Sequence, residues 1–384
     1  MLEKEKSIST SDINISLKYK ILCLNTSPEN KITIYRKFEE FSEIENNSEE
    51  YTKLKNWIKW ATDIPHDNIK TQNYCKEELT YFLQHINNRL NEELYGMDKV
   101  KEQILMFISS KLLNPTMKKC NLGLVGPPGT GKTAISKLIA SVLDFPFEQI
   151  SFGGVDKPDF LKGHDYTYIG SQPGEIVKCL KRMKYKNGIL FLDEYEKISD
   201  NKEICSALLH ITDPTQNHEY RDQFLSEITI DLSNIWFIYS MNSLPDDSAL
   251  RDRIFYIDIN GYTHTDKIQI IKNYLLPKTL KNMSLPDKSM YFDTGVISYF
   301  ISCVSDRFDM GVRTIEKAIN DIVNKLSFIY SHQNNEGKLN GFSVSFNIDE
   351  KIVFPFCITR KIIDKIIDNK NKMDTAMSIS MMYI

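Results

Sequence analysis

The stretch that decides the fold is GPPGTGKT, Gly126 to Thr133. It satisfies the pattern Gly-x-x-x-x-Gly-Lys-Ser/Thr, in which backbone N–H groups curl around phosphates at the start of a helix. The context fits, because an apolar run, NLGLVG, precedes it and an amphipathic segment, KTAISKLIASVL, follows it. A glycine-rich turn that arose by chance would not require a strand-like run before it and an amphipathic helix after it. We therefore predict a phosphate-binding loop made of Gly126, Pro127, Pro128, Gly129, Thr130, Gly131, Lys132 and Thr133.

The residue types of this loop predict a bound nucleoside triphosphate with Mg²⁺. Lys132 is expected to reach the β- and γ-phosphates, and the Thr133 hydroxyl to hold the metal. Downstream, the apolar run ILFLDE ends in two acids: Asp193 would bind Mg²⁺ through its water shell, and Glu194 would polarise the attacking water. On its own, an apolar run that ends in two acids is more often a surface strand end. Together with the upstream loop, the pair predicts hydrolysis of ATP or GTP.

Further polar candidates surround two later apolar runs. IWFIYSMNS ends in Asn242, which would face the γ-phosphate if its strand lies beside the one before the loop; an asparagine that caps a strand or turn is an equal alternative. Arg251 and Arg253 precede the last strand-like run, and Arg313 begins a helical pattern. Single arginines are usually solvated, so position alone assigns them no role.

Short apolar runs alternate with helical segments in the middle of the chain: NLGLVG, FEQISF, GILFLDE, IWFIYSMN and RIFYIDI. Such runs, separated by helices, predict a parallel sheet in an α/β fold. The alternation ends near Ile259, after which helical patterns predict a second, smaller helical domain. Before the sheet, residues 1–50 combine a polar lead, a strand-like run, KYKILCLN, and an acidic linker, and Tyr51 to Leu112 show helical spacing.

Composition excludes several classes of protein. The net charge of −3 creates no global attraction to nucleic acid or an anionic membrane. The 7 cysteines are scattered without a C-x-x-C pair, which argues against a disulfide framework or a zinc site. The N-terminus shows no signal peptide, and no apolar run approaches the ~20 residues that span a bilayer. We expect an intracellular, soluble protein without a membrane partner, in the cytoplasm or, if viral, in the host cytoplasm or the virion.

One glycine-rich loop carries large apolar side chains. GHDYTYIGSQPG, Gly163 to Gly174, contains Tyr166, Tyr168 and Ile169. Loops run over the surface, where such side chains lose favourable burial unless they touch something. These side chains therefore either cover the core beneath the loop or contact another molecule.

From about Tyr51 to about Asp368, four-fifths of the chain, the sequence resembles the AAA+ ATPase module of Lon proteases. The resemblance is carried by collinear, closely spaced segments: YGMDKVKEQIL, GPPGTGKT, ISFGGV, GHDYTYIGSQPGEIV, LFLDEYEKIS, SALLHITDPTQN, DLSNIWFIYSMNS, DRIFYIDINGYT, LLPK and GVRTIEKAI. It implies an α/β fold in which an AAA+ P-loop NTPase domain, an αβα parallel-sheet domain, is followed by a small helical lid domain.

The resemblance also implies roles for individual residues. It places Tyr95 and Gly96 by the adenine, makes Asn242 sensor 1, and makes Arg313 a sensor 2 that moves the small domain with the nucleotide state. Arg253 resembles the arginine finger, which enters the site of a neighbouring subunit. The finger implies a homo-oligomeric ring, expected to be a hexamer.

In the family, the loop that holds Tyr168 and Ile169 lines the central pore. Its aromatic and aliphatic side chains pack against a threaded polypeptide with little regard for sequence, and ATP-driven loop movement pulls that polypeptide along. The resemblance therefore implies that this loop contacts a protein substrate. The alternative, in which Tyr166 and Tyr168 only cover the core, stays open.

The sequence departs from the family in several places. The chain stops about where the family's Ser-Lys peptidase domain would begin, and no Gly-Pro-Ser-Ala-Gly-like segment occurs, so we expect no peptide cleavage. The family's N-terminal recognition region is absent or replaced by residues 1–50. The segment ISDNKEIC, near a second pore loop, is shorter than usual and lacks glycine, and Tyr195 and Glu196 stand where an aliphatic residue and an aspartate are typical.

The patterns together predict an ATP-hydrolysing, Lon-like protein that unfolds, remodels or translocates polypeptide, alone or for a separate protease. A nucleotide-dependent assembly or scaffold ATPase that threads nothing is the alternative, and the shortened segment favours it. A nucleic-acid motor is less expected, because phosphate-tracking pores carry Lys or Arg rather than Tyr and Ile; Lys157, Lys162 and Lys178 nevertheless flank the loop. The predicted regions are 1–50 (unmatched), 51–90 (helical linker), 91–259 (large ATPase domain), 260–370 (lid domain) and 371–384 (tail).

Overall fold

The computed structural model describes residues 17–367 except 46–47, 71–75, 115–119, 169, 294, 307, 335–336, 338, 340–341, 343, 347 and 349. The start of the N-terminal region, Ile169 and the predicted tail therefore lie outside the described residues. The described chain forms two compact units, the first made of residues 17–93, 98–125 and 132–258 and the second of 94–97, 126–131 and 259–367. The predicted domain bounds stay predictions.

A parallel sheet forms the centre of the first unit. Its strands are β1 Asn121–Val125, β2 Phe147–Ser151, β3 Gly188–Asp193, β4 Ile235–Met241 and β5 Ile254–Asp258. Their order is β2-β3-β4-β1-β5, and each neighbouring pair is parallel. All the runs that the sequence marks as strand-like in this region are strands, which confirms the predicted α/β parallel sheet.

The register of the sheet places β1 between two later strands. Leu122 pairs with Ile238 of β4 on one side and with Phe255 of β5 on the other. Every residue of β1 and of β4 is buried, the pattern of a parallel sheet that is covered on both faces. Because parallel strands end at the same edge, the residues that follow β3 and β4 lie at one side of the unit.

Along the chain, helices precede and separate the strands of this sheet. They are α1 Pro28–Glu43, α2 Glu49–Asp63, α3 Lys76–Glu93, α4 Asp98–Leu113, α5 Lys132–Val142, α6 Asp159–Lys162, α7 Glu175–Met183, α8 Lys202–Thr212 and α9 Ser248–Arg251. Single 3-10 turns span Tyr195–Lys197 and Asn217–Glu219. No helix in the described part of the chain is long and apolar enough to cross a membrane.

The N-terminal region contains one wrong prediction. The run KYKILCLN was expected to be strand-like, but residues 17–22 are helical. Leu17 packs against the core and Ile21 is fully buried within it, so the apolar positions follow helical spacing, whereas Leu22 is exposed. A short apolar run cannot distinguish a strand from a buried helical segment by periodicity alone.

The second unit is mainly helical, as the sequence predicts. Its helices are α10 His264–Ile270, α11 Leu276–Asn282, α12 Val296–Val304, α13 Arg313–His332 and α14 Arg360–Ile366, and a π-helical turn, Ile271–Leu275, joins the first two. Two short parallel strands, β6 Met290–Phe292 and β7 Phe356–Ile358, were not predicted. The unit has its own core, in which the apolar face of α13 is buried.

Candidate functional site

The carboxyl edge of the sheet brings two predicted residues together in the first unit. Lys132 begins α5, and Asn242 directly follows β4. Lys132 Nζ donates a hydrogen bond to Asn242 Oδ1 over 3.2 Å. Thr133 is the next residue of α5 and is partly exposed. The alternation of strands and helices therefore places the Lys132 ammonium and the Asn242 amide in direct contact.

The two acids at the end of β3 lie at the same edge. Asp193 Oδ2 accepts a hydrogen bond from Gln149 Nε2 over 3.0 Å. Glu194 Oε2 accepts one from Ser151 Oγ over 3.3 Å, and Glu194 itself has a positive φ of 60°. A non-glycine residue in this left-handed region is uncommon and occurs where the surroundings impose it, often at functional sites. The strand thus ends in a fixed turn that exposes the Glu194 carboxylate.

A third acid, Glu196, is part of this cluster. Its Oε1 accepts a hydrogen bond from Asn242 Nδ2, while its Oε2 is buried and has no hydrogen-bond partner in the described structure. The neighbouring Tyr195 is buried and packs its ring against Tyr239, with ring centroids 5.8 Å apart, which anchors the turn. The sequence indicates Glu196 only as a replacement for an aspartate, and its contact with a residue 46 positions away was missed.

The electrostatics of Lys132 reflect these neighbours. Burial lowers the pKa of Lys132, and the negative charges of Glu196 and Asp193 partly offset that effect. A buried ammonium gains from further negative charge nearby, because opposite charges favour its protonated form. The surroundings of Lys132 therefore suit an anionic ligand such as a phosphate chain.

The donor set is suited to Mg²⁺ held jointly with phosphates. Hydroxyl and carboxylate oxygens, such as those of Thr133 and Asp193, are the hard ligands that Mg²⁺ prefers. Among the residues that the structure describes, no group of three or more His, Cys, Asp or Glu side chains could hold a metal by itself. Magnesium is commonly bound through one or two carboxylates plus substrate phosphates, so the residues present fit this ion.

The glycine-rich part of the predicted phosphate-binding loop belongs to the second unit. Gly129 and Gly131 have positive φ values of 77° and 97°, which glycine adopts without strain. Val312 N donates to Gly129 O over 3.0 Å, and a Cβ at position 129 would lie 3.2 Å from the Cβ of Arg313. Arg313, at the start of α13, is therefore packed against the loop backbone. Its predicted role in sensing nucleotide stays a prediction.

The predicted adenine contacts lie in the second unit as well. Tyr95 packs against the core of this unit and makes an edge-to-face contact with Tyr274, with centroids 6.2 Å apart. Gly96 has a positive φ of 60°. Tyr262, which the sequence analysis did not single out, donates its hydroxyl to Thr130 O over 3.3 Å. The unit therefore places a further aromatic side chain on the phosphate-binding loop.

The predicted arginine finger has a partner in its own chain. Arg253 Nη2 lies 2.9 Å from Asp213 Oδ2. Burial alone raises the pKa of Asp213, but hydrogen bonds from Thr215 and the charge of Arg253 outweigh it, so the pKa is lowered. Arg251 instead donates to Pro245 O. Of the two arginines before β5, Arg253 is thus the one fixed in position by a buried carboxylate.

The loop Gly163–Gly174 has a closed base. A Cβ at Gly163 would lie 2.6 Å from Gly174 N, so the two ends touch. Asp222 Oδ2 accepts a hydrogen bond from Gly174 N over 2.8 Å, and Asp222 Oδ1 accepts one from Phe224 N over 2.9 Å. A buried carboxylate therefore ties one end of the loop to the chain around residue 222.

The two tyrosines of this loop differ in their surroundings. Tyr166 is partly buried and packs against the core, as the alternative interpretation expected for both residues. Tyr168 is 70% exposed. Ile169, its predicted partner in gripping polypeptide, lies outside the described residues.

Comparison with known proteins gives a family match for part of the chain. Residues 122–259 match the family model described as "ATPase family associated with various cellular activities (AAA)". This part of the chain is an AAA ATPase domain. The match begins in β1 and ends just after β5, so the AAA ATPase domain contains the whole parallel sheet.

The chain is also similar to Lon proteases over most of its length, which confirms the resemblance. It is 34% identical over 290 residues to a mitochondrial Lon protease homolog of Drosophila melanogaster, covering 74% of this chain and 27% of that protein. It is 34% identical over 323 residues to a Lon protease of Chlamydia pneumoniae (83% and 38%) and 32% identical over 355 residues to one of Borrelia duttonii (strain Ly) (91% and 42%). The chain thus spans well under half the length of these relatives.

Proposed function

We propose that this ATPase forms a homo-oligomeric ring, hydrolyses ATP with Mg²⁺, and uses the cycle to unfold, remodel or translocate polypeptide through the ring's pore. The observation that carries the polypeptide part is Tyr168, which is 70% exposed on a loop whose base is closed. Binding groups on a loop that is positioned by a rigid scaffold are a common arrangement in proteins. An exposed aromatic ring on an anchored loop is suited to contact many sequences.

The residues at the sheet edge would divide the work of hydrolysis. Thr133 and Asp193 would hold Mg²⁺, which when bound neutralises charge on the phosphates. Lys132 would bind the phosphate oxygens as a cation in partly desolvated surroundings. Glu194 would accept a proton from the attacking water, and Asn242 would orient that water through its amide.

The remaining candidates would recognise the nucleotide and complete the site. The backbone N–H groups of residues 126–131 would bind phosphate oxygens, and Tyr95 and Gly96 would lie by the adenine. Arg313 would respond to the nucleotide state. Arg253 would act on the site of the neighbouring subunit, which is why a ring, expected to be a hexamer, belongs to the proposal.

The proposal does not include peptide cleavage by these 384 residues. None of their segments resembles the Gly-Pro-Ser-Ala-Gly nucleophile segment expected of the peptidase. Polypeptide that has passed the pore would be released in a remodelled state or handed to a separate protease.

The test is the steady-state ATPase rate of the purified chain, measured over a range of protein concentrations with and without carboxymethylated lactalbumin, which is permanently unfolded. We expect the rate per subunit to rise with protein concentration and to rise further with the unfolded protein. A rate that depends on protein concentration but is unchanged by lactalbumin would support the ring, contradict the translocation of polypeptide, and favour the scaffold ATPase. Stimulation by single-stranded DNA that disappears with added salt would favour a nucleic-acid motor.

A further inference from the structure

We infer that Lys37 of α1 fastens the Tyr166 side of the loop Gly163–Gly174 and thereby sets how Tyr168 is presented to polypeptide. Lys37 would be a positioning residue, since it acts through Tyr166. The inference rests on the proposed function. It assigns a role to the N-terminal helices, which the sequence leaves without one.

The contacts of Lys37 form a compact cluster. Lys37 is 8% exposed, and its Nζ donates to the Tyr166 hydroxyl over 2.8 Å and lies 2.8 Å from Glu227 Oε1. The same ammonium lies 4.8 Å from the centroid of the Tyr166 ring and 5.9 Å from that of Trp57. A lysine is rarely this buried unless its charge is paired. Its partners come from the loop, from α2, from the segment around residue 227 and, through Glu40 at 3.9 Å, from α1 itself.

The charge of Lys37 is maintained inside this cluster. Burial on its own lowers the pKa of Lys37, but hydrogen bonds with Glu227 and Tyr166 outweigh it, so the pKa is raised. Hydrogen bonds that involve an ionised group are stronger than neutral ones. The bond from Lys37 to Tyr166 is therefore a firm attachment between α1 and the loop.

A second helix holds the next residue of the loop. Lys53 of α2 donates to Thr167 O over 2.8 Å and also pairs with Glu49 over 2.6 Å. Within the loop, Asp165 Oδ1 accepts from Thr167 N over 2.9 Å, which closes a turn. Of the three residues before Tyr168, Asp165 and Thr167 are thus bonded to each other, Tyr166 is bonded to α1, and Thr167 is bonded to α2.

These attachments are separate from those that close the base of the loop. Asp222 holds the Gly174 end through its own hydrogen bond. Loss of the Lys37 contact should leave that end closed while it loosens the segment from Asp165 to Thr167. The expected consequence is weaker engagement of polypeptide by Tyr168, with the sheet edge unaffected.

The test compares Tyr166→Phe and Lys37→Met with wild type in the ATPase assay, with carboxymethylated lactalbumin as the polypeptide. Tyr166→Phe keeps the ring and removes only the hydroxyl, and Lys37→Met keeps a side chain of similar length. For both we expect unchanged ATPase activity without polypeptide and an approximately fivefold rise in the lactalbumin concentration that gives half-maximal stimulation, the effect of about one lost hydrogen bond. Lys37→Arg, which retains a cationic donor, should restore most of the wild-type response.

A matched control is available on the same helix. Lys31 of α1 donates to Leu22 O and makes no contact with the loop among those described, so Lys31→Met should behave as wild type. If Lys31→Met shifts half-saturation as much as Lys37→Met does, the effect belongs to α1 in general and the inference fails. A melting temperature for each variant identifies any loss of stimulation that reflects unfolding alone.

Tyr168→Ala separates failure of this inference from failure of the proposed function. If Tyr168→Ala removes stimulation but Tyr166→Phe and Lys37→Met respond to lactalbumin as wild type does, the attachment is irrelevant and only the inference is overturned. If Tyr168→Ala is stimulated normally, polypeptide does not engage this loop and both are overturned.

Discussion

The sheet edge and the loop Gly163–Gly174 carry the candidate chemistry in opposite ways. At the sheet edge Lys132 contacts Asn242, and Asn242 contacts Glu196. In the loop the candidate side chain, Tyr168, is exposed, and its neighbours supply the fixed contacts. Side chains that contact one another suit chemistry on one defined substrate. An exposed ring on a loop that is held by its neighbours suits binding of polypeptides with many sequences. Substitutions should therefore separate hydrolysis from the response to polypeptide.

The largest expected effect is the loss of ATP hydrolysis at the sheet edge. Glu194→Gln removes the carboxylate that would accept a proton from water, so we expect turnover to fall about a thousandfold, with or without polypeptide. ATP binding should persist, because Lys132 and the loop backbone are unchanged. Steady-state turnover and titration with a fluorescent ATP analogue measure the two quantities. Normal turnover would remove Glu194 from its proposed role.

The next effect tests whether the sheet edge is complete within one chain. Arg253→Ala should lower turnover about a hundredfold, less than for an unpaired finger, because the ion pair with Asp213 competes for the guanidinium. Arg251→Ala, two positions away, is the matched control and should retain activity.

Mixing variants shows whether Arg253 acts across subunits. Arg253→Ala subunits keep their own Glu194, and Glu194→Gln subunits keep their own Arg253, so mixed rings should contain restored sites. Recovery of turnover on mixing two nearly inactive proteins is the expected result. Without recovery, Arg253 would be confined to its pair with Asp213 in the same chain.

The elements of the sheet edge could be predicted because each has a local signature. β1, β3 and β4 are short apolar runs, and the residues that follow them are a glycine-rich loop, two acids and an asparagine. Parallel strands end at one edge, so the local patterns of β3 and β4 are sufficient to place the two acids and the asparagine at the same edge. The short strand β6 has no such signature, because three residues are too few to show a period.

The contacts that hold the loop Gly163–Gly174 in place could not be predicted, because they join distant parts of the chain. Lys37 and Tyr166 are 129 positions apart, and nothing in either local sequence indicates a buried lysine. The contact between Glu196 and Asn242 has the same character. Such pairs follow from the packing of segments that are distant along the chain, and a single sequence does not show that packing.

A smaller effect sharpens the picture of the sheet edge. Glu196→Gln removes a negative charge beside Lys132. The positive charge of Lys132 is then less neutralised and attracts phosphate more strongly, so ADP should bind about threefold more tightly. Turnover should fall, because the Asn242 amide loses its charged acceptor. A lower dissociation constant together with a lower maximal rate is the expected combination. Equal weakening of both would point instead to general distortion of the site.

The last prediction concerns stability rather than activity, at the base of the loop. Burial raises the pKa of Asp222 to about 7, although hydrogen bonds from the N–H groups of Gly174, Phe224 and Leu225 act in the opposite direction. The folded state therefore holds this proton more tightly than the unfolded state, in which an aspartate has its ordinary value near 4. The contribution to stability is fully present below that value and is lost as the pH rises to about 7.

Asp222→Asn cannot titrate and isolates this contribution. The free energy of unfolding of wild type, relative to that of Asp222→Asn, should fall by up to about 1.4 kcal/mol for each pH unit between roughly 4 and 7 and then level off. Urea unfolding of both proteins at several pH values measures the difference. If the wild-type advantage grows with pH instead, the backbone N–H groups stabilise the carboxylate more than burial penalises it. Asp222 would then be an ionised anchor, and the base of the loop, like the sheet edge, would be held by charge.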